Sequence, residues 1–500
     1  MRFFALSVAL SSVAVLMSPA AAFAQVPTMP APAIGSTLTL ADAIAVAKRS
    51  NPGFQTQLTT RRVADLTART ANAAFLPSIN SSFNGSYRAG GQTVVNGITQ
   101  GASSSTLSSG GSISAGLNLS AAQFSDRKAS LKEKDIAETS IAAGEQSLRQ
   151  QVTNQYIQVL QAQATAALQD TLLVTSAAQL NLAKAKLQVG TGIQLDVQQA
   201  EVADGRQRVA ALQAHNSVDI EKIRLFALLG VAPVLSTQLQ ELTSTELPTM
   251  TLEQILATAR KSNPTLETNR ARVEQASYRV TSARRAYIPS FGINTSIGGN
   301  ALRPTDPDIG INSQKASVPL RIASCQRSEE VRLKLGLDNA YAACSNIAFT
   351  AADEAALRDS YSGFPFNFTK NPLGFSVGLS LPIFNQFQRE AGVQNAVIQR
   401  SNAENTVRQQ EIQLTTDISI AWMQLTTSRQ TVAQNELNVR TARLALTLSD
   451  QRYQLGLISL VDRITASNAF DQAESARISS IYDFQRAFAA LEAAVGQPLR

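Results

Sequence analysis

The sequence predicts a mixed, mostly α-helical fold built from two structural repeats, each combining long helices with a two-stranded hairpin. Three observations lead to this prediction. Two long tracts contain no proline, four short segments alternate apolar with small polar residues, and the beginning of the chain recurs in its second half. The absence of proline permits long helices, and the alternation has the two-residue period of a strand.

The duplication sets the domain organisation. The stretch 39–52 recurs as 251–264, which is 212 positions later, with Thr-Leu and Ser-Asn-Pro in step. A second set of matches lies 266 positions apart and pairs Gly190 with Gly456 and Asp196 with Asp462. The larger spacing indicates an insertion in the second half. We therefore expect repeat one over 39–238 and repeat two over 239–500.

The amphipathic segments predict one hairpin near 76–120 and a second near 288–384. From Ile79 to Tyr87, for example, a face that holds Ile79, Phe83 and Tyr87 alternates with a face of Ser and Asn. A half-buried sheet over a globular core would produce the same alternation. Strands of about ten residues with an uncharged polar side are, however, what a membrane barrel around a wet lumen needs.

Long helices follow each hairpin. The tracts 123–189 and 385–455 contain no proline and one glycine each. A helix of that size is about 100 Å long, so no single globular core covers it and we expect coiled-coil packing. Shorter helical segments of about 35 residues, over 39–74 and 251–286, precede the hairpins and end before a proline.

The first 24 residues predict a secretory signal peptide. They begin with Met1-Arg2, continue with an apolar run and end with the small-x-small sequence Ala22-Phe23-Ala24. Residues 25–38 follow as an extended lead-in. No later segment has the run of about 18 apolar residues that a spanning helix needs. The exported chain is therefore either soluble outside the cytoplasm or crosses a membrane with strands.

The composition excludes several classes of protein. Only 16% of the residues are charged, against roughly 25% in soluble domains. Two cysteines are too few for a cysteine-ligated zinc site, and a single histidine, His215, removes most histidine-based chemistry. The net charge of +7 is spread without the charge runs of nucleic-acid arms. We expect no enzymatic activity, no metal, no cofactor and no nucleic-acid partner.

Four strands cannot stand alone in lipid, because the edges of an open sheet leave backbone amides and carbonyls unsatisfied. Several copies must then pool their strands into one closed barrel. Two copies would give eight strands and a filled interior, whereas three would give twelve and enclose a pore. These considerations favour an oligomer and lean towards a trimer.

The chain resembles the TolC-type outer membrane efflux protein family over nearly its whole mature length. The resemblance is carried by the duplicated Thr-Leu and Ser-Asn-Pro start, by the paired strand entries Leu76-Pro77-Ser78 and Ile288-Pro289-Ser290, by the strand end 377–384, and by Gly456 with Asp462. It implies a homotrimer whose twelve-stranded β-barrel crosses the outer membrane of a Gram-negative-type cell. An α-helical barrel would continue it through the periplasm.

The resemblance also implies a function. Family members are ducts, and we expect an outer-membrane export duct of a tripartite efflux or type I secretion system. Its partners would be a periplasmic adaptor, an inner-membrane pump and outer-membrane lipid, and it would conduct substrates passively. A structural or adhesive coiled-coil protein of the cell envelope is the alternative, and it leaves the four amphipathic strands unexplained. An exported enzyme is a third possibility, but the sequence offers no nucleophile–base pairing or phosphate loop.

The turns between the long helices carry the candidate site residues. The resemblance places the periplasmic aperture at Asp462, Asp196, Thr465 and Tyr453. Three copies of an aspartate would form a negative ring that favours cations, although either aspartate could simply interact with a helix dipole. Tyr453 resembles a tyrosine that holds the closed state, with coiled-coil packing as the alternative. Ile458 stands where the family has an arginine, and Thr465 where it often has a second aspartate.

The tips of the two helical hairpins are expected to dock the adaptor. They comprise Val189, Gly190, Gly192, Leu455, Gly456 and Leu457. Glycine allows the chain to reverse with a positive φ between two helices.

The second hairpin carries a long insertion over 299–371, which the barrel interpretation places outside the cell. It contains Cys325 and Cys344, which in an exported protein are most simply a disulfide that closes a surface loop. Mixed charges over 328–337 suggest a short helix there. The corresponding segment of the first hairpin, 89–110, is rich in glycine and serine and predicts a loop.

Overall fold

A computed structural model describes residues 36–95, 98–103, 105–242, 247–338 and 340–499. The predicted signal peptide and most of the predicted lead-in lie outside these described residues. The described chain is mostly helical, with a smaller antiparallel part, and none of its helices is long and apolar enough to cross a membrane.

In each half a helical segment, strands and long helices follow one another as predicted, together with elements that the sequence did not predict. The helices are α1 (Leu40–Ser50), α2 (Pro52–Ala73), α3 (Ala121–Gln188), α4 (Gln194–Leu229), α5 (Leu252–Ser262), α6 (Pro264–Arg285), α7 (Pro307–Lys334), α8 (Ala351–Ser362), α9 (Gln388–Gln454) and α10 (Leu460–Val495), with a 3-10 turn over Tyr341–Asn346. The strands are β1 (Thr37–Leu38), β2 (Ser78–Arg88), β3 (Gly91–Val95), β4 (Ile98–Ser103), β5 (Thr106–Leu119), β6 (Gln238–Leu239), β7 (Ser290–Pro304) and β8 (Thr369–Ser380).

The helical segments before the hairpins are each split in two. The sequence predicts continuous segments over 39–74 and 251–286, but α1 ends before Asn51-Pro52 and α5 ends before Asn263-Pro264. The residue before a proline avoids the helical region, and Asn51 has an extended ψ of 117°. The Asn51 side chain then accepts a hydrogen bond from Phe54 N at 2.9 Å, which caps the start of α2.

Corresponding helices in the two halves have equal or nearly equal lengths. α1 and α5 have 11 residues, α2 and α6 have 22, and α4 and α10 have 36. α3 has 68 residues and α9 has 67.

The chain forms two compact units. The first comprises Met1–Leu58, Ile141–Asn263 and Gln413–Arg500, and the second comprises Thr59–Ser140 and Pro264–Ile412.

An apolar cluster in the first unit gathers residues of α1, α3 and α4 around Tyr156. The Tyr156 hydroxyl lies 2.8 Å from both Leu38 O and Gln240 O, next to the parallel pair of β1 and β6. Burial raises the pKa of this phenol to about 12, so it stays neutral and serves as a hydrogen-bonding group. The two short strands are thereby fixed to α3.

The second unit contains an antiparallel sheet of strand order β2-β5-β7-β8. Its register places serine and asparagine side chains on one face, where Ser82 Oγ lies 2.8 Å from Ser112 Oγ. Large apolar side chains occupy the other face and are exposed: Ile79, Phe83, Ile113, Ile297, Phe375, Val377 and Leu379. This division is the one that the alternating sequence predicts.

Beyond the sheet the structure departs from the predicted loops. β7 continues to Pro304 and β8 begins at Thr369, so the insertion is shorter than the predicted range 299–371. A helix does cover most of 328–337, as predicted, but it is longer, because α7 begins at Pro307 and ends at Lys334. The segment 89–110 is not a simple loop either, since its described residues include the paired strands β3 and β4 and the first residues of β5.

The insertion is held together by its own contacts. Cys325 of α7 and Cys344 of the 3-10 turn form a disulfide. Ion pairs join α8 to the first half of α7, at 2.8 Å between Lys315 Nζ and Glu354 Oε2 and at 2.7 Å between Arg358 Nη2 and Asp308 Oδ1.

Candidate functional site: the two helix turns

The turns of both long helical hairpins lie in the first unit, and the chain reverses direction there at a glycine. Gly190 has a φ of 76° and Gly456 a φ of 74°, the left-handed conformation in which other residues are strained. Thr191 N donates to Lys186 O at 3.0 Å, and Leu457 N donates to Arg452 O at 2.9 Å. These bonds span five residues and satisfy carbonyls at the helix ends, as in a Schellman motif.

Gly192 has a different role from the one that the sequence predicts. Its φ is not positive, so it does not make the reversal. A Cβ atom at this position would lie 3.0 Å from Leu187 N and 3.0 Å from Lys186 Cβ. Gly192 is therefore needed because the chain passes close to the end of α3, whereas Gly190 is needed for its backbone conformation.

Asp462 lies in the first turn of α10, in a capping box with Ser459. Its carboxylate accepts a hydrogen bond from Ser459 Oγ at 2.7 Å and from Ser459 N at 3.2 Å, while Asp462 N donates to Ser459 Oγ at 3.2 Å. The side chain is exposed, so the helix start is fixed and the negative charge faces solvent. Thr465, one turn later, is exposed, and its hydroxyl donates to Val461 O at 2.9 Å.

Asp196 occupies the matching place in α4, but without a cap. The residue before this helix is Ile193, which has no side chain that can accept a hydrogen bond from the helix. Asp196 is half-buried, and its negative charge contributes, after burial itself, to raising the pKa of Tyr453. The structure thus links Asp196 of one hairpin to Tyr453 of the other.

Tyr453 is 8% exposed and packs in an apolar cluster with Ala183, Val197 and Leu460. Lys186, which the sequence analysis did not identify, reaches this tyrosine from α3. Its ammonium group lies 4.0 Å from the centre of the Tyr453 ring and donates to Tyr453 O at 3.2 Å. The contact combines a cation–π interaction with a hydrogen bond, and it joins the two hairpins directly.

A buried arginine is the second group that the sequence analysis missed. Arg463 is 5% exposed, and its Nε donates to Asp450 Oδ1 at 2.6 Å, which links α10 to α9. Farther along α10, burial raises the pKa of Asp471 from 3.8 to about 6, and the charge of Arg463 acts in the opposite direction. The sequence does indicate that Arg463 is buried, because it lies three positions after Leu460 and so on the same face of the helix.

The outer surface of both turns is apolar and exposed. Leu455 is 74% exposed, and Val189, Leu457 and Ile193 are also exposed. The turns therefore combine an interior of apolar packing and a few polar contacts with exposed apolar side chains at the ends of the hairpins. Over the part of the chain that the structure describes, no cluster of three or more His, Cys, Asp or Glu residues could hold a metal ion.

A mostly helical chain with a sheet that exposes one apolar face has the features of an outer-membrane channel. The chain belongs to the outer membrane efflux protein family, whose sequence model matches residues 43–231 and 350–497. It lies in the outer membrane, extends into the periplasm and is an export duct, as members of this family are.

Known proteins of this kind match most of the chain. The outer membrane efflux protein BepC of Brucella suis biovar 1 (strain 1330) is 23% identical over 467 residues, covering 92% of this chain and 85% of BepC. The structure of CusC superposes with a TM-score of 0.68 at 16% identity and 92% coverage of both chains. VceC from Vibrio cholerae superposes with a TM-score of 0.65 at 16% identity, covering 92% of this chain and 97% of VceC. These structures share the fold.

Proposed function

We propose that three copies of the chain pool their sheets into a closed twelve-stranded barrel, continued by a barrel of helices in the periplasm. The sheet itself carries this proposal. β2 and β8 are its edge strands, and one of its faces is apolar and exposed. In lipid, unpaired edge groups would each cost several kcal/mol, and pairing β2 of one copy with β8 of the next satisfies both edges.

The duct conducts passively and works with a periplasmic adaptor and an inner-membrane pump, in a tripartite efflux or type I secretion system. The exposed apolar side chains at the hairpin tips, Val189, Leu455 and Leu457, support adaptor docking, because a partner surface would cover them. The pump and the adaptor supply the energy and select the cargo. The barrel itself needs only a continuous lumen, lined by the serine and asparagine face of the sheet.

The aperture of the duct is formed by the two helix turns. Three copies of Asp462 around a threefold axis form a ring of negative charge, which attracts cations and repels anions. The exposed carboxylate held by Ser459 supports this role. Thr465 occupies the next turn and adds no charge to the ring.

The closed state is held by polar links between the hairpins, in which Lys186 replaces the arginine that the family has near Ile458. Its contacts with the ring and carbonyl of Tyr453 support this assignment, as does the influence of Asp196 on the same tyrosine. Cys325 and Cys344 stabilise the insertion on the extracellular side. The two halves arose by duplication, which the equal helix lengths support.

The native mass of the mature protein, extracted in detergent from the outer membrane, tests this proposal. A particle of three chains is expected, and single-channel recording would then measure conduction. A monomer, or a chain found soluble in the periplasm, would leave β2 and β8 unpaired. That outcome would refute the duct proposal and favour a structural coiled-coil protein of the cell envelope.

A further inference from the structure

A short aromatic segment crosses the apolar face of the sheet. Residues 363–368, which we call the aromatic strap, connect α8 to β8 and contain three phenylalanines. The Phe366 ring stacks on Phe83 of β2 with the ring centres 5.9 Å apart, and the Phe368 ring meets Phe83 edge-on at 6.4 Å. β2 lies at the far side of the sheet from β8, so the strap passes over the two strands between them.

The sheet provides a shallow groove for the strap. Ser109 and Gly111 of β5 pair with Ala301 and Gly299 of β7, which places four small residues side by side on the apolar face. A Cβ atom on Gly111 would lie 3.4 Å from the Phe368 ring, and one on Gly299 would lie 2.8 Å from Phe368 Cβ.

The strap is also fixed by its backbone. The Ser109 hydroxyl donates a hydrogen bond to Pro365 O at 2.6 Å, and Ser109 is buried beneath the segment. The position of the strap is therefore determined by a hydrogen bond as well as by ring packing.

The strap divides the apolar face into two parts. From Gly111 towards the helices, β5 runs eight more residues to Leu119, or about 27 Å of strand. At a tilt of roughly 40° this open band has a height of about 21 Å, close to the ~25 Å apolar band of membrane barrels. The band stays uncovered, and its side chains include Ile113, Ile297 and Phe375.

We propose that the aromatic strap lies in the outer headgroup region of the bilayer and marks the upper limit of the lipid-facing surface, with Phe366 inserted among lipid. This inference rests on the proposed function, since only a sheet that faces lipid places the strap in a membrane. Girdles of aromatic residues flank the apolar band of membrane barrels, and the strap places three phenylalanines at that edge of the band. Phe366 stacks on Phe83 and is still 66% exposed, so most of its side-chain surface is open to lipid.

Two positive charges on the same face of the sheet support contact with lipid headgroups. Lys370 pairs with Gly299, and Arg303 pairs with Leu107, so both cations lie on the strap side of the sheet, at its loop end. Cations just beyond an apolar band match the phosphate groups of anionic lipids. The lower part of the band carries no charged residue at the paired positions from Ile113 to Leu119.

Depth-dependent quenching of tryptophan fluorescence tests the inference. Trp422 is the only tryptophan, so Trp422→Phe gives a silent background. Into it Phe366→Trp, Phe375→Trp or Tyr341→Trp is introduced in the full chain, each at an exposed site. The proteins are reconstituted into phosphatidylcholine vesicles brominated either near the headgroup or deep in the acyl chains. Native mass confirms that each variant assembles like the parent.

We expect Phe366→Trp to lose roughly half of its emission to shallow bromines and less to deep ones, as an interfacial residue does. Phe375→Trp should be quenched more by deep bromines, and Tyr341→Trp by neither. If Phe375→Trp is quenched while Phe366→Trp behaves like Tyr341→Trp, the strap lies in water and the inference alone fails. If Phe375→Trp is not quenched either, the sheet does not face lipid and the proposed function fails with it.

Discussion

The two helix turns share a backbone but differ in their side chains. Gly190 and Gly456 adopt the same left-handed conformation, with φ values of 76° and 74°. Seven residues later the first hairpin has Val197, buried in an apolar cluster, whereas the second has Arg463, buried and bonded to Asp450. The reversal of the chain is thus a backbone property, while at this position the second hairpin has a buried ion pair between its helices and the first has apolar packing.

The helices that follow the two turns, α4 and α10, also differ in the polar bonds at their first residues. Ser459 and Asp462 form a capping box at α10, whereas Ile193 offers α4 no side-chain cap. The start of the helix after the turn is therefore tied by directional hydrogen bonds in the second hairpin but not in the first. The two helices of the first hairpin are joined farther from the turn, by Ser176 Oγ with Asp204 Oδ1 at 3.1 Å and by the ion pair of Lys184 with Glu201. Directional bonds fix one geometry, and breaking one leaves a buried group unpaired.

Replacing Arg463 should have the largest effect on stability. We expect Arg463→Ala to lower the free energy of unfolding by about 2–4 kcal/mol, because it removes a buried guanidinium and leaves Asp450 without its partner. Val197→Ala is the matched change in the first hairpin and should cost about 1–2 kcal/mol. Urea unfolding in detergent, followed by Trp422 fluorescence, measures both. Equal losses of unfolding free energy in the two variants would show that the Arg463–Asp450 link gives no more stability than apolar packing does.

Asp471 makes the second hairpin sensitive to pH. Burial raises its pKa from 3.8 to about 6, so the folded protein prefers the neutral carboxyl group. Its stabilisation is fully present below about pH 3.8 and is lost as the pH rises through about 6.

Asp471→Asn removes this dependence, and we expect it to raise the free energy of unfolding at pH 7 by about 1–2 kcal/mol. The difference from wild type should shrink between pH 6 and pH 4. Asp219→Asn, at an exposed carboxylate of α4, is the control and should leave the pH profile unchanged. A constant difference at every pH would contradict the assignment to Asp471 ionisation.

The charge of Asp462 and its capping role can be separated by mutation. Asp462→Ala should weaken block of the pore by divalent cations by several-fold in bilayer recordings, because the proposed ring of charge is lost. Ser459→Ala breaks the capping box but keeps the carboxylate, and it should leave block nearly unchanged. Asp196→Ala, in the uncapped hairpin, should have less effect than Asp462→Ala. Equal block in Asp462→Ala and wild type would remove Asp462 from the aperture.

The smallest expected effect comes from giving the first hairpin the cap of the second. Ile193→Ser places a serine three residues before Asp196, which is the spacing of a capping box. We expect a gain of about 0.5–1 kcal/mol in the free energy of unfolding, since α4 then acquires a side-chain cap. Ile193→Ala is the control, because it removes the same apolar surface without adding an acceptor. A serine variant no more stable than the alanine variant would show that this turn cannot adopt the capped geometry.

Local chemistry explains why much of the fold could be predicted. Prolines and glycines end the helices where the sequence places them, and the two-residue alternation assigns the faces of the sheet. The long helix α7 was not predicted, because it contains Pro319 and is supported by Cys344 and by residues of α8. Those contacts join residues that are distant in the sequence, and a local pattern does not contain them.

The residues of the candidate site likewise fall into those that local sequence rules predict and those that depend on a distant partner. The turn glycines and the aspartates at the helix starts follow local rules, so the sequence identified Gly190, Gly456 and Asp462. Lys186 and Arg463 were missed because each acts on a residue of another helix, Tyr453 and Asp450 respectively. A buried cation looks like any surface charge until its partner is known.

Two asparagine amides limit where the chain can change in length. Asn51 caps α2 and also donates to Leu228 O at the end of α4, at 2.7 Å, and Asn263 donates to Ala494 O at the end of α10, at 3.1 Å. Inserting or deleting one residue in α4 or α10 would turn the bonded carbonyl by about 100° around its helix and break the contact. A change of length in either helix would therefore disconnect its end from the Asn-Pro break that precedes α2 or α6.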